Sequence, residues 1–290
     1  MLQAAQSRGA SLAERLPPHA YFIVSALFHY LGPSFAVLLF AHVGVLGVAW
    51  LRIASAALIF ALWRRPWRFM AEADRQSRVL IITLGVTLAA MNAVFYLAIA
   101  RLQLATVASI EFVATIAIAL IGIASWRNAT ALVVAVGGVF LLVGFQMTTD
   151  WLGLAFALAN AVLFATYIVL GHASARHGGS SIGRLSAAMA VAAIIALPIG
   201  IGDVSAILDH PMLILAGIGV GLSSSVIPYI CDQLAMARLP RATFALMLAL
   251  LPATAAVVGA VVLAQWPSAK DVVGILLVAA GVAMHRPVEE

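Results

Sequence analysis

The chain has 290 residues, 64% of them hydrophobic and only 9% charged, with a formal net charge of +5. A soluble domain is about half apolar and a quarter charged, and a bilayer-crossing helix takes roughly 20 apolar residues, so this length supplies about ten spans and no separate soluble catalytic domain. The cations sit singly or in one short cluster between apolar segments, which argues against nucleic acid as a partner, and the lone Cys231 excludes an internal disulfide or a cysteine-based metal cluster.

In chain order, residues 1–19 are polar and read as a cytoplasmic N-terminal segment. The apolar run that follows is long and lacks a clear small-residue cleavage site, so it reads as a retained first helix. Apolar runs bounded by charge, Pro or Gly place spans at 20–41, 43–63, 79–99, 103–124, 129–146, 151–172, 182–201, 211–231, 241–264 and 269–285. Trp63, Trp67, Trp126, Trp151 and Trp266 fall near span ends, where interfacial aromatics belong. With the N-terminus inside, thirteen arginines from Arg8 to Arg286 lie on the cytoplasmic side and only Arg101 and Lys270 outside. That bias points to N-in, C-in and an even number of spans in a bacterial inner membrane.

Residues 98–108, AIARLQLATVA, align with 235–245, AMARLPRATFA, at seven of eleven positions. A weaker echo pairs Arg52-Ile-Ala-Ser-Ala-Ala with Arg184-Leu-Ser-Ala-Ala-Met. The chain therefore reads as all-α, with two five-helix repeats at 20–146 and 147–290. Five is odd, so the second repeat enters the membrane inverted, the architecture of alternating-access transporters.

Charged groups in hydrocarbon cost about 2.5–3.5 kcal/mol each on insertion scales and need a partner or a wet cavity. Arg52 and Glu111 lie well inside spans, both at about 12 Å depth, and can meet as an ion pair. Such a pair either fixes helix packing or serves a substrate. Asn92 and Asn160 fall at nearly the same depth, with His29, Tyr30 and Ser223–Ser225 slightly deeper. This polar layer suits a zwitterion, and equally describes interhelical hydrogen bonding. Gly217-Ile-Gly219-Val-Gly221 resembles a nucleotide loop in spacing but lies in an apolar span, where close helix packing is the better account. Pro228 and Pro252 are placed to kink or break their helices. His172, Arg176 and His177 fall at a helix end, where charge compensation accounts for them. No catalytic constellation stands out, and neither a cofactor nor a metal is implied.

Four stretches, WLRIASAALIF with the following RRPWR, MNAVFYLAIARLQLATVASIEF, ATYIVLGHASARHG and IPYICDQLAMARLPRATFALM, resemble the drug/metabolite transporter superfamily of EamA type. The likeness is to its threonine/homoserine exporters and YddG-type aromatic amino-acid exporters, and it extends over nearly the whole chain. It implies ten helices in two inverted repeats, export of aromatic or neutral amino acids as the small-molecule substrate, and a monomer or homodimer in the bilayer. It also implies a central cavity that takes in Asn92, Tyr96, Glu111, Asn160, Tyr167 and Ser224, with Arg52 behind it. The chain departs from the family in having Thr115 where a fourth-span Pro is usual, and Leu251 where a Glu often precedes Pro252. An exporter of drugs or other metabolites, or a non-transporting membrane sensor or assembly protein, would share the same composition.

Overall fold

The computed structural model describes residues 17–120, 126–143, 150–203, 207, 211–239, 244, 247, 248 and 250–284, and every regular element among them is a helix. Pro18 opens α1 (Pro18–Val37), a position where its missing N–H costs nothing. Helix α2 (Val45–Arg64) ends at Arg65, whose left-handed backbone turns the chain into the short surface helix α3 (Pro66–Glu72). Asp74 caps α4 (Arg75–Ile99) by accepting from Ser77 N at 3.1 Å. Helices α5 (Leu104–Leu120) and α6 (Trp126–Val143) follow. Asp150 caps α7 (Trp151–Arg176) by accepting from Gly153 N at 2.8 Å.

Helix α8 (Ser181–Gly200) runs into a 3-10 turn at Ile201–Asp203. The next span is composite: α9 (Pro211–Gly221), a π-helical turn (Leu222–Val226) and α10 (Ile227–Met236). Helices α11 (Leu250–Leu263) and α12 (Ala269–Met284) close the described chain. Pro252 lies in the first turn of α11; Leu248 before it is a turn residue after helical Met247, its N–H donates to Phe244 O at 3.1 Å, and its carbonyl, for which Pro252 has no N–H, accepts from Leu251 N at 3.0 Å. Thr115 lies on α5, but its side chain falls outside the described residues.

Among the described residues, six helical segments are long and apolar enough to cross a membrane: α1, α2, α4, α7, α8 and the composite span Pro211–Met236. Helices α5, α6, α11 and α12 occupy the other four apolar regions. The largest extensions beyond the apolar runs are in α4, which begins at Arg75, α7, which ends at Arg176, and the composite span, which ends at Met236. Hydrophobicity alone stops short of helix ends because polar residues near an interface remain helical.

The packing comes in matched pairs. Helix α4 lies on α7 as α10 lies on α1; α4 lies on α8 as α9 lies on α2; α5 lies on α7 as α11 lies on α1. Small residues bring these helices together. A side chain at Gly217 would meet Leu51, and one at Gly221 would meet Ser55 and the Arg52 backbone, so the glycines four apart seat α9 against α2. Gly219, between them, faces open space. All five tryptophans expected near span ends are exposed.

Candidate functional site

The polar residues of the interior resolve into three centres. The first is Glu111 on α5, 2% exposed. Asn160 Nδ2 on α7 donates to its Oε1 at 2.6 Å, and Tyr30 Oη on α1 donates to its Oε2 at 3.2 Å. Asn160 Oδ1 is buried beside this carboxylate with no hydrogen-bond partner among the described residues, and Ser34 Oγ, one turn beyond Tyr30 on α1, is likewise buried without one among them. Four of the residues that lead the eye in the sequence thus separate into two kinds: Glu111, Tyr30 and Asn160 converge, whereas Arg52 turns elsewhere.

Arg52 on α2 forms the second centre. Its Nε donates to Ser225 Oγ at 2.8 Å, its Nη2 donates to the Ser224 carbonyl, and its guanidinium lies 5.5 Å from the Tyr96 ring centre. The reason is covalent. Pro228 has no N–H for the carbonyl four residues before it, which is Ser224's, and Arg52 supplies a donor to that carbonyl beside the π-helical turn. The ion pairs within 4.0 Å among the described residues are Arg101–Asp150 and Asp74–His177, so the expected direct Arg52–Glu111 bridge is replaced by these separate partners. Ser224 is spent in the same place, because its Oγ donates to the Val220 carbonyl.

The third centre was not apparent from the span boundaries. Asp232 on α10 is 5% exposed, so the buried ionic groups of the spans include more than Arg52 and Glu111. Ser25 Oγ on α1 donates to its Oδ1 at 2.5 Å and Tyr167 Oη on α7 donates to its Oδ2 at 3.1 Å. Asp232 lies just past the apolar run that ends at 231, whereas α10 continues to Met236 and carries it inside. The available signal was compositional: Asp232 and Gln233 interrupt an otherwise apolar stretch, and both are buried. Arg184, near the start of the expected span 182–201 and counted with the cytoplasmic cations, is 1% exposed. Its guanidinium donates to the carbonyls of Ser174, His177 and Gly178 and so caps the end of α7.

Aromatic rings connect the two carboxylates. His29 lies edge-on to Tyr30 and Phe164, Phe164 stacks on Tyr167, and Tyr167 lies 5.4 Å from Tyr229. Asn92 on α4 donates to its own helix at Leu88 and, at 3.4 Å, to Tyr229 Oη. Asn160 and Tyr167 are seven residues apart, so the Glu111 and Asp232 centres are separated by about 10 Å along α7. Both centres draw one donor from α1 and one from α7. The result is a continuous polar and aromatic column between those helices, with a carboxylate at each of two depths.

At the end of the molecule that holds Arg101, charge is handled differently. Asp150 receives Gly153 N and pairs with Arg101 at 3.0 Å, and these contacts hold its carboxyl below the usual range. Asp74, at the opposite end, is held low by hydrogen bonds from Ser77. Asp74 is an exposed helix cap and Asp150 a half-buried one, and neither belongs to the column.

Residues 151–285 match the model of the EamA-like transporter family. The threonine/homoserine exporters RhtA of Salmonella typhimurium and Escherichia coli are each 33% identical to this chain over 238 residues, covering 81% of it and 79% of their own length. A solved crystal structure of a protein at 16% identity superimposes with a TM-score of 0.59 over 92% of this chain and 96% of its own, which bears on the fold alone. The apolar helices and these matches together make the chain a multi-pass membrane protein of the EamA-type drug/metabolite transporter superfamily.

Proposed function

We propose that this protein exports neutral or aromatic amino acids by alternating access, along the column between α1 and α7, with Glu111 holding the substrate's ammonium group. The observation that carries this reading is the Glu111 centre. A carboxylate deep in a helix bundle accepts from an amide and a phenol, and the unfilled Asn160 Oδ1 beside it gives a second acceptor for an N–H donor. An ammonium can donate to the carboxylate and to Asn160 Oδ1 at once. The names of the RhtA relatives favour small hydroxylated amino acids within that class.

Alternating access is supported by the matched packing pairs, since exchanging the two halves converts each pair into the other. Asn92 and Tyr229, which touch, stand 137 positions apart, the same offset that separates 98–108 from 235–245. Residues equivalent by repeat meet where two halves share an axis, and transporters of this kind bind substrate near such an interface. The arginine bias supports a reading with both termini inside, in which Asp232 lies toward the cytoplasm and Glu111 toward the exterior.

The test is efflux from proteoliposomes loaded with a neutral amino acid, its methyl ester or its deaminated acid. The intact amino acid should leave fastest and the deaminated acid should lose most, because its absence of an ammonium leaves Glu111 unanswered. Equal flux of all three, or none of a broad amino-acid panel, contradicts the reading.

A further inference from the structure

We propose that Asp232 is a proton-binding site, distinct from the Glu111 centre, through which a pH gradient drives transport. The inference rests on the reading of the chain as an exporter and adds the ion that powers it. It begins from the difference between the partners of the two carboxylates. Glu111 takes one of its donors from an amide nitrogen, which can only donate. Asp232 takes both of its donors from hydroxyls, Ser25 Oγ and Tyr167 Oη. A hydroxyl donates or accepts by rotating its proton. When Asp232 is ionised, both hydroxyls donate to it. When it is protonated, its new O–H donates to one hydroxyl oxygen while the other continues to donate to the remaining carboxyl oxygen, so neither contact is lost.

Ser25 Oγ also has a second acceptor at hand. The Pro228 carbonyl lies 3.2 Å away, and takes the serine proton when Asp232 supplies its own. The site is therefore built to tolerate both protonation states in place. The step is balanced and simple: one proton adds to a carboxylate oxygen on one side of the cycle and leaves from it on the other, with no other bond changed.

The surroundings of Asp232 offer no competing cation. The elements packed on α10 are α1, the π-helical turn, α7 and α8. From α7, Tyr167 faces the carboxylate, and on α10 itself Tyr229 and Cys231 are close enough to interact with it. His29 of α1 directs its ring at Tyr30 and Phe164, His172 of α7 directs its own at Ile168 O and Phe244, and Arg184 of α8 is engaged by the end of α7. The π-helical turn carries no titratable side chain of its own, and Arg52 of α2, docked on its Ser224 and Ser225, makes no ion pair with Asp232. Among the described residues, neither ion pair includes Asp232. Because Ser25 belongs to α1 and Tyr167 to α7, the proton sits at the junction of the helices that also supply Tyr30 and Asn160 to Glu111. Occupancy of one centre is thereby felt at the other.

The experiment has a spectroscopic arm and a transport arm. Infrared difference spectra of the full-length protein in lipid, titrated with pH, should show the carbonyl band of a protonated carboxylic acid that is lost in Asp232→Asn. In Ser25→Ala and Tyr167→Phe the band should persist with a moved midpoint. In proteoliposomes, an imposed pH gradient should drive amino acid against its concentration gradient, Asp232→Asn should abolish that accumulation, and Asp232→Glu should restore both accumulation and band. An unchanged band in Asp232→Asn, a midpoint unmoved in both hydroxyl variants, or accumulation as high in Asp232→Asn as in the parent overturns the proposal. If no amino acid moves in the parent protein, the exporter reading fails, and the infrared titration still decides whether Asp232 binds a proton.

Discussion

The Glu111 and Asp232 centres are built from the same two helices yet are chemically unlike. Each carboxylate accepts from one group on α1 and one on α7. At Glu111 the α7 partner is an amide with an unfilled oxygen, while at Asp232 it is a phenol that also packs on Tyr229. In the register set by the 137-residue offset, Glu111 corresponds to Leu248 and Asp232 to Phe95, both apolar and both buried. Each half of the chain thus contributes one carboxylate, at a different level. The packing pairs match between the halves, but the charges do not.

The sharpest break in this comparison is Glu111→Gln. Removing a charge-assisted contact of about 1.5–3 kcal/mol should reduce efflux of the intact amino acid by roughly 10- to 100-fold, with insertion unchanged. Quantified membrane levels alongside flux check it, and parental flux at parental levels removes Glu111 from the site.

Arg52→Gln is the counterpart that tests structure. Shortening the side chain strips the donor from the Ser224 carbonyl, at a cost of about 1–3 kcal/mol for a buried unsatisfied group. The variant should unfold at lower temperature in detergent. If it is as stable as the parent but selectively loses transport, Arg52 belongs to the pathway after all.

Tyr30→Phe has a smaller expected effect. It removes one neutral donor at 3.2 Å from Glu111 and keeps the ring against His29. Flux should fall by a few-fold, corresponding to about 0.5–1.5 kcal/mol, while Tyr167→Phe should leave amino-acid selectivity alone because it touches the other carboxylate.

The smallest effect lies outside the column. Asp150 is held low in the folded state by Gly153 N and Arg101, so its contribution to stability is present above its unfolded value near ~4 and is lost as pH falls through the lower folded one. Asp150→Asn should melt slightly earlier than the parent at neutral pH, and the two melting curves should converge in acid. A gap that persists in acid would assign the effect to the cap geometry, not the charge.

Much of this was legible in the sequence because hydrophobic run length and helix geometry are tightly linked in a bilayer. The helices, the exposed tryptophans and the close packing at Gly217 and Gly221 follow from local composition. Glu111, Tyr30 and Asn160 were legible as a layer because counting residues along a helix gives depth. Direction around the helix was not, which is why Arg52 and Glu111 looked like partners. Their separation follows from Pro228, whose missing N–H leaves the Ser224 carbonyl for Arg52, a relation between residues 172 positions apart. Asp232 escaped because an apolar window ends where polarity begins, although the helix does not.

The central claim is that Glu111 reads the ammonium group, and selectivity tests it more directly than rate. Efflux of a neutral amino acid and of its deaminated acid should be compared in the parent and in Glu111→Gln at matched membrane levels. The parent should favour the amino acid strongly, and the variant should treat the two alike. A variant that retains the parental preference would contradict the account, whatever its absolute rate.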